Sequence, residues 1–343
     1  MVILWHNWVN GIDARSVVPK FYVPRPQTAH RSVATRKCRF RSTDPCLLRI
    51  EIRSFSASAN AYRPFFYYQQ GERLKDFPDA LGRALSRPNV FFYDAFYPRK
   101  PESSFDLEPI SPASLYKIHA PQMVQRVMAT DEYEGALYSA SGTVSAAIKV
   151  GAGEITNAFV FTGYGDHHAG RDFFGGGCYF NGAAIAIQEV KERFNLKKFA
   201  VVDSDAHHGD GSWALFENNP DVLYVCFCSE PDEIRNCNIN IQVPSAVDDD
   251  TYLSLFRDVL RQQIRIFHPE ILFWNWGYDG TTGEYGDMGL TAEVHARLAL
   301  ELKRLAAEVC NGRLIVVLCG GSRRDLATMI IPGVVKVLAN ESS

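Results

Sequence analysis

Phe199-Ala-Val-Val-Asp203-Ser-Asp205-Ala-His207-His208-Gly-Asp210-Gly211 passes from four apolar residues into a run in which seven of nine are Asp, His or Gly. The apolar part reads as a buried β-strand and the polar part as the loop at its carboxyl end. Outward from this stretch the same grammar repeats. Apolar, strand-sized runs fall at 90–94, 157–162, 222–228, 270–276 and 314–319. Segments with helical spacing fall between them, at 120–128, 139–150, 183–194, 251–267, 290–310 and 325–339. Buried strands alternating with amphipathic helices predict an α/β fold, a mainly parallel multi-stranded sheet with helices on both faces.

The chain has 343 residues, 46% of them apolar and 22% charged, which suits a large α/β domain with a sizeable core. A net charge of −3 gives no reason to expect nucleic acid or an anionic membrane as a partner. The first sixty residues stand apart. They carry ten Lys/Arg against Asp13, Asp44 and Glu51, and they lack a sustained period. The chain therefore divides into a basic extension over 1–60, disordered or targeting, and a second domain over 61–343 that carries the α/β pattern. Arg53-Ser-Phe-Ser-Ala-Ser-Ala resembles the end of an organellar transit peptide. Eight cysteines without C-x-x-C pairs favour a reducing, cytoplasmic setting instead. Cys226 and Cys228 share a strand face, but no partner pair with zinc-finger spacing follows, so no zinc site is expected there.

In parallel sheets ligands bind at the carboxyl ends of the strands. Three segments put polar residues there: Gly163-Tyr-Gly-Asp166-His167-His168-Ala-Gly170, the run from Asp203 to Gly211, and Trp276-Gly-Tyr278-Asp279-Gly280. Asp205 and His207, two apart, can point to one side and form a pair of metal ligands, with Asp203 on the same face to orient a histidine. A hydrated acidic loop with incidental histidines would give the same spacing.

The Asp203 run, preceded by Gly165-Asp-His-His-Ala, resembles the signature of histone deacetylases and acetoin-utilisation proteins. Gly177-Cys-Tyr-Phe-Asn, Gly277-Tyr-Asp and Cys319-Gly-Gly are similar to further family segments, as are Ile118-His119 and the helix over 139–147. The likeness runs from roughly residue 90 to 340. It implies a three-layer arginase/deacetylase-like fold and a metal-dependent amidohydrolase. Asp205, His207 and Asp279 would hold Zn²⁺ (or Fe²⁺), and the family leaves room for a structural monovalent cation. His167 and His168 would serve as general base and acid, Asp203 orienting His167 and Asp210 orienting His168. The implied substrate is an acylated amine or acyl-lysine, with neither nucleic acid nor membrane involved.

Two departures qualify the resemblance. The family tyrosine that follows the last glycine pair, a donor to the developing oxyanion, is replaced by Ser322. Arg323 or Arg324 would then supply the charge, unless they are a solvated helix start, with Tyr278 and Tyr285 the next candidates. An aromatic that lines the acyl-lysine tunnel falls at Gly177, with Phe173 and Phe174 close by. Asp166 either adds negative charge that favours a cationic substrate or hydrogen-bonds a loop backbone. Two other readings compete: a metal-holding protein that binds acyl ligands without turnover, suggested by Ser322, and a two-metal ureohydrolase. The latter needs paired aspartates after a strand, whereas Asp279 is followed by glycine and threonine.

Overall fold

The computed structural model describes residues 109–339 and two short strands, Val2–Trp5 and Phe91–Asp94. In chain order the strands are β1 (Val2–Trp5), β2 (Phe91–Asp94), β3 (Asn157–Val160), β4 (Phe199–Asp203), β5 (Val222–Cys228), β6 (Glu233–Arg235), β7 (Asn238–Gln242), β8 (Ile271–Trp276) and β9 (Leu314–Leu318). Among the described residues they form one sheet in the order β2-β1-β3-β9-β8-β4-β5-β7-β6. Every neighbouring pair is parallel except β6 against β7, which closes one edge with an antiparallel hairpin.

The helices are α1 (Pro112–Ile118), α2 (Pro121–Met128), α3 (Tyr133–Gly151), α4 (Gly182–Phe194), α5 (Asp210–Phe216), α6 (Asp249–Phe267), α7 (Val294–Cys310) and α8 (Arg324–Leu338). The central strands β4, β5, β8 and β9 are buried along their whole length, as a sheet covered on both faces requires. Alternate residues feed two cores. Ala200, Val202, Leu272, Trp274, Val316 and Leu318 pack with α6, α7 and α8. Phe199, Val201, Ile271, Phe273, Ile315 and Val317 pack with the helices that precede β4 in the chain, and with α5. The three-layer α/β architecture read from the sequence is the one observed.

Differences are local. The helix expected over 290–310 begins at Val294, because Leu290 bridges to Thr281 instead. The helix at α5 starts inside the polar run itself, where loop was expected. β6 was also missed, being three residues long with two of them exposed. Of the extension over 1–60, Val2–Trp5 lies between β2 and β3 as a paired strand; the rest falls outside the described residues. Cys178, Cys226, Cys228, Cys310 and Cys319 are free and buried. Cys237 is disulfide-bonded, where only reduced thiols were expected. Among the described residues no helix is long and apolar enough to cross a membrane.

Candidate active site

The carboxyl ends of β3, β4, β8 and β9 converge, and each opens directly into a polar turn. β4 delivers Asp203, Asp205 and His207; β8 delivers Asp279; β9 delivers the Gly320-Gly321-Ser322 turn. The segment after β3 brings His167 and His168. Ligand atoms of Asp205, His207 and Asp279 all lie within 4.8 Å of one another. His207 Nδ1 is 2.8 Å from Asp279 Oδ2 and 3.2 Å from Asp205 Oδ1. The second oxygens of the carboxylates are fixed by backbone donors. Gly320 N–H donates to Asp205 Oδ2 at 2.6 Å, and Ala206 N–H to Asp279 Oδ1 at 3.1 Å. Gly320 must be glycine here, since a Cβ would collide with both carboxylates.

Each histidine of the tandem pair meets a carboxylate. His167 Nδ1 lies 3.0 Å from Asp203 Oδ2, and His168 Nδ1 lies 2.8 Å from Asp210 Oδ1. Their rings are 4.1 Å apart, and His167 Nε2 reaches to 3.7 Å from Asp205 Oδ1. A residue that sequence reasoning missed supports Asp203: the Tyr224 hydroxyl, from β5, donates to Asp203 Oδ2 at 2.7 Å. Burial pushes the Tyr224 pKa well above its usual value, so this proton stays in place.

The electrostatics separate the two imidazoles. Burial works against charge on His167, but the carboxylates of Asp203 and Asp205 outweigh it and push its pKa up to about 10. For His168, burial and the neighbouring His167 charge lower the pKa. The cluster itself is strained in charge. Burial and the adjacent Asp205 raise Asp279 to about 6. His207, although burial opposes it, is pushed up to about 11 by Asp205 and Asp279. Among the described residues the ion pairs of these two buried carboxylates run only to histidines. One imidazole and two carboxylates on so small a locus fit a divalent cation, which would replace the imidazolium proton as the compensating charge.

The remaining expected residues fall out differently. The Ser322 hydroxyl donates to Glu284 Oε2 at 2.7 Å, while Glu284 Oε1 takes the N–H groups of Ser322 (2.9 Å) and Arg323 (2.5 Å). Ser322 therefore anchors the turn. The Arg323 guanidinium pairs with Asp325. Tyr278 is fully buried beneath the turn, its ring against Gly321. Tyr285 is the phenol that reaches the centre. Its ring stacks on His207 at 5.3 Å and 30°, and its oxygen accepts the Gly321 N–H at 3.0 Å.

Gly176 and Gly177, with φ of 57° and 80°, form a tight turn closed by Cys178 N–H to Gly175 O at 2.8 Å. Positive φ at both central positions selects glycine, so Gly177 serves the turn rather than an aromatic wall. A Cβ at Gly176 would also run into the His168 ring. Phe174 stacks on Tyr179 at 5.4 Å, and Phe173 covers Gly170 while staying 36% exposed. Asp166 points away from the cluster. Its Oδ2 accepts the Ala183 N–H at 3.0 Å at the start of α4, and burial raises its pKa to about 7. Of the two roles considered for it, the backbone contact is the one observed.

Residues 100–338 match the histone deacetylase domain family. The chain belongs to that family. Histone deacetylase 9 of Homo sapiens is 30% identical over 211 residues, covering 54% of this chain and 20% of that protein. A probable deacetylase of Archaeoglobus fulgidus is 29% identical over 204 residues, covering 55% of this chain and 56% of that one. The chain thus matches a fifth of one relative and just over half of the other. A crystal structure of the HDA15 HD domain shares the fold, with a TM-score of 0.69 at 23% identity over 83% of this chain and 88% of that one.

Proposed function

We propose that this histone deacetylase family member hydrolyses an acyl-amide, with an acylated amine such as acyl-lysine as substrate. One observation carries the reading: two histidines, each backed by a carboxylate, stand beside a buried Asp205–His207–Asp279 cluster suited to a cation. Zn²⁺ or Fe²⁺ held by those three residues would supply Lewis acidity, polarising the amide carbonyl and lowering the pKa of water.

The protein's own groups do the rest. His168, lowered in pKa and held through Nδ1 by Asp210, is neutral near pH 7 and keeps Nε2 as an acceptor. It takes the proton of the attacking water as the new C–O bond forms. His167, held through Nδ1 by Asp203, supplies a proton to the nitrogen as the C–N bond breaks. The Tyr285 hydroxyl takes the donor role that the family tyrosine would fill, since Ser322 is committed to Glu284.

The test is hydrolysis by the zinc-loaded full chain of acetyl- and trifluoroacetyl-lysine peptides, with His168→Ala as control. Turnover that needs metal and His168 supports the proposal. Tight binding of the peptides with no turnover on either would replace it with an acyl-ligand binding protein.

A further inference from the structure

Outside the cluster just described, β5 presents a second group of metal-binding side chains. Strand alternation puts Tyr224, Cys226 and Cys228 on one face. Parallel pairing sets Asn240 of β7 opposite Cys226. His208 comes from the turn after β4, and its Nδ1 is 3.6 Å from Cys228 Sγ and 3.1 Å from Asn240 Oδ1. Cys228 Sγ is 3.2 Å from the same oxygen. A ring nitrogen of His208 and both sulfurs lie within 4.8 Å of one another.

The asparagine is not there by accident of orientation. Its Nδ2 donates to Glu230 O at 3.0 Å and to Pro231 O at 2.9 Å, which turns Oδ1 toward His208 and Cys228. Both thiols are buried and free, and the His208 ring is braced by Trp213 at 5.2 Å.

The three edges among His208, Cys228 and Asn240 are close to those of a tetrahedral site. Tetrahedral zinc holds sulfur at about 2.3 Å and nitrogen or oxygen at about 2.0–2.1 Å, so adjacent donors sit roughly 3.3–3.8 Å apart. The 3.6 Å nitrogen–sulfur edge falls inside that range, and the two edges to Asn240 fall just under it. We propose that Cys226, Cys228, His208 and the Asn240 oxygen form a second, structural site for a thiophilic divalent cation such as Zn²⁺. Binding is an exchange without redox change. Each thiol gives its proton to solvent, and His208 ligates through the Nδ1 lone pair with its remaining proton on Nε2. Four protein donors leave no open position, as in structural zinc sites. The ion would staple β5 and β7 to the turn that carries His207, and so hold that imidazole's backbone in place. Spacing along the chain could not show this, because the third and fourth donors come from other segments.

The test is titration of the metal-free full chain with Co²⁺. The expected result is two equivalents per chain and a thiolate-to-cobalt charge-transfer absorption in the near ultraviolet. The Asp205–His207–Asp279 set has no sulfur and cannot produce that band. Asp205→Ala should lose one equivalent and keep the band; Cys228→Ser should lose the band and keep the other equivalent. Absence of the band in the unsubstituted chain at saturating Co²⁺ would overturn the proposal whatever the variants do. So would a band that survives Cys228→Ser. The amidohydrolase reading rests on the other cluster and fails independently, through loss of turnover.

Discussion

Replacing Tyr285 by phenylalanine isolates one hydroxyl. Loss of a single oxyanion donor costs on the order of 10²–10³ in kcat, or about 2.7–4 kcal/mol of transition-state stabilisation. The structural cost is smaller. The phenol oxygen accepts the N–H of Gly321, itself buried, at 3.0 Å, and leaving that donor unpaired costs about 1–3 kcal/mol. Phenylalanine retains the ring that stacks on His207 at 5.3 Å, so the cluster keeps its wall. Tyr285→Phe should therefore bind metal at the wild-type stoichiometry, melt a few degrees below the wild type and keep its KM. Its kcat on acetyl-lysine peptide should fall at least a hundredfold. A trifluoroacetyl amide has a more electrophilic carbonyl and leans less on the donor, so its loss should be distinctly smaller. The assay is steady-state kinetics on both substrates with the zinc-loaded enzyme, alongside metal analysis and a melting curve. Unchanged kcat on both substrates would refute the assignment, and equal losses on both would mean that the hydroxyl does something other than stabilise the oxyanion.

Asp205→Ala should abolish metal binding at the Asp205–His207–Asp279 cluster, checked by elemental analysis of a Cys228→Ser background; retained stoichiometric metal there would count against the ligand assignment. Arg323→Ala should leave kcat within a few-fold of wild type, because its guanidinium is engaged by Asp325, and a loss on the order of 10²-fold would make it the oxyanion donor instead. Burial lowers both His119 and His295 to about 4, below the 6.5 of the unfolded chain. The unfolded state therefore takes up more protons below pH 6.5. Their contribution, on the order of 3 kcal/mol each, is present above that pH and lost as pH falls toward 4, which a series of denaturant melts would record. A chain beginning at Ala61 should bind metal but melt below the full chain, since it lacks the strand Val2–Trp5 between β2 and β3; an identical melting curve would show that strand to be dispensable.

The parts of this protein that were legible in its sequence are those written in consecutive residues. Leu314-Ile-Val-Val-Leu318 must be buried on both faces wherever it sits, and that alone calls for helices above and below the sheet. The strand-end placement of Asp203, Asp205 and His207 follows from the same short-range grammar. What stayed hidden depends on contacts made across the fold. Nothing around Glu284 marks it as the residue that ties down the Ser322 turn, because the donors it takes from that turn lie 38 and 39 residues away. That contact changes the meaning of the most conspicuous departure from the family. Seen in the sequence, Ser322 is a tyrosine lost. In the fold, its hydroxyl is one of four donors to a single carboxylate, and the phenol beside His207 arrives from Tyr285, the very next residue after Glu284. The segment that anchors the turn thus also carries the phenol proposed as the missing donor, so a substitution at Glu284 should move both together.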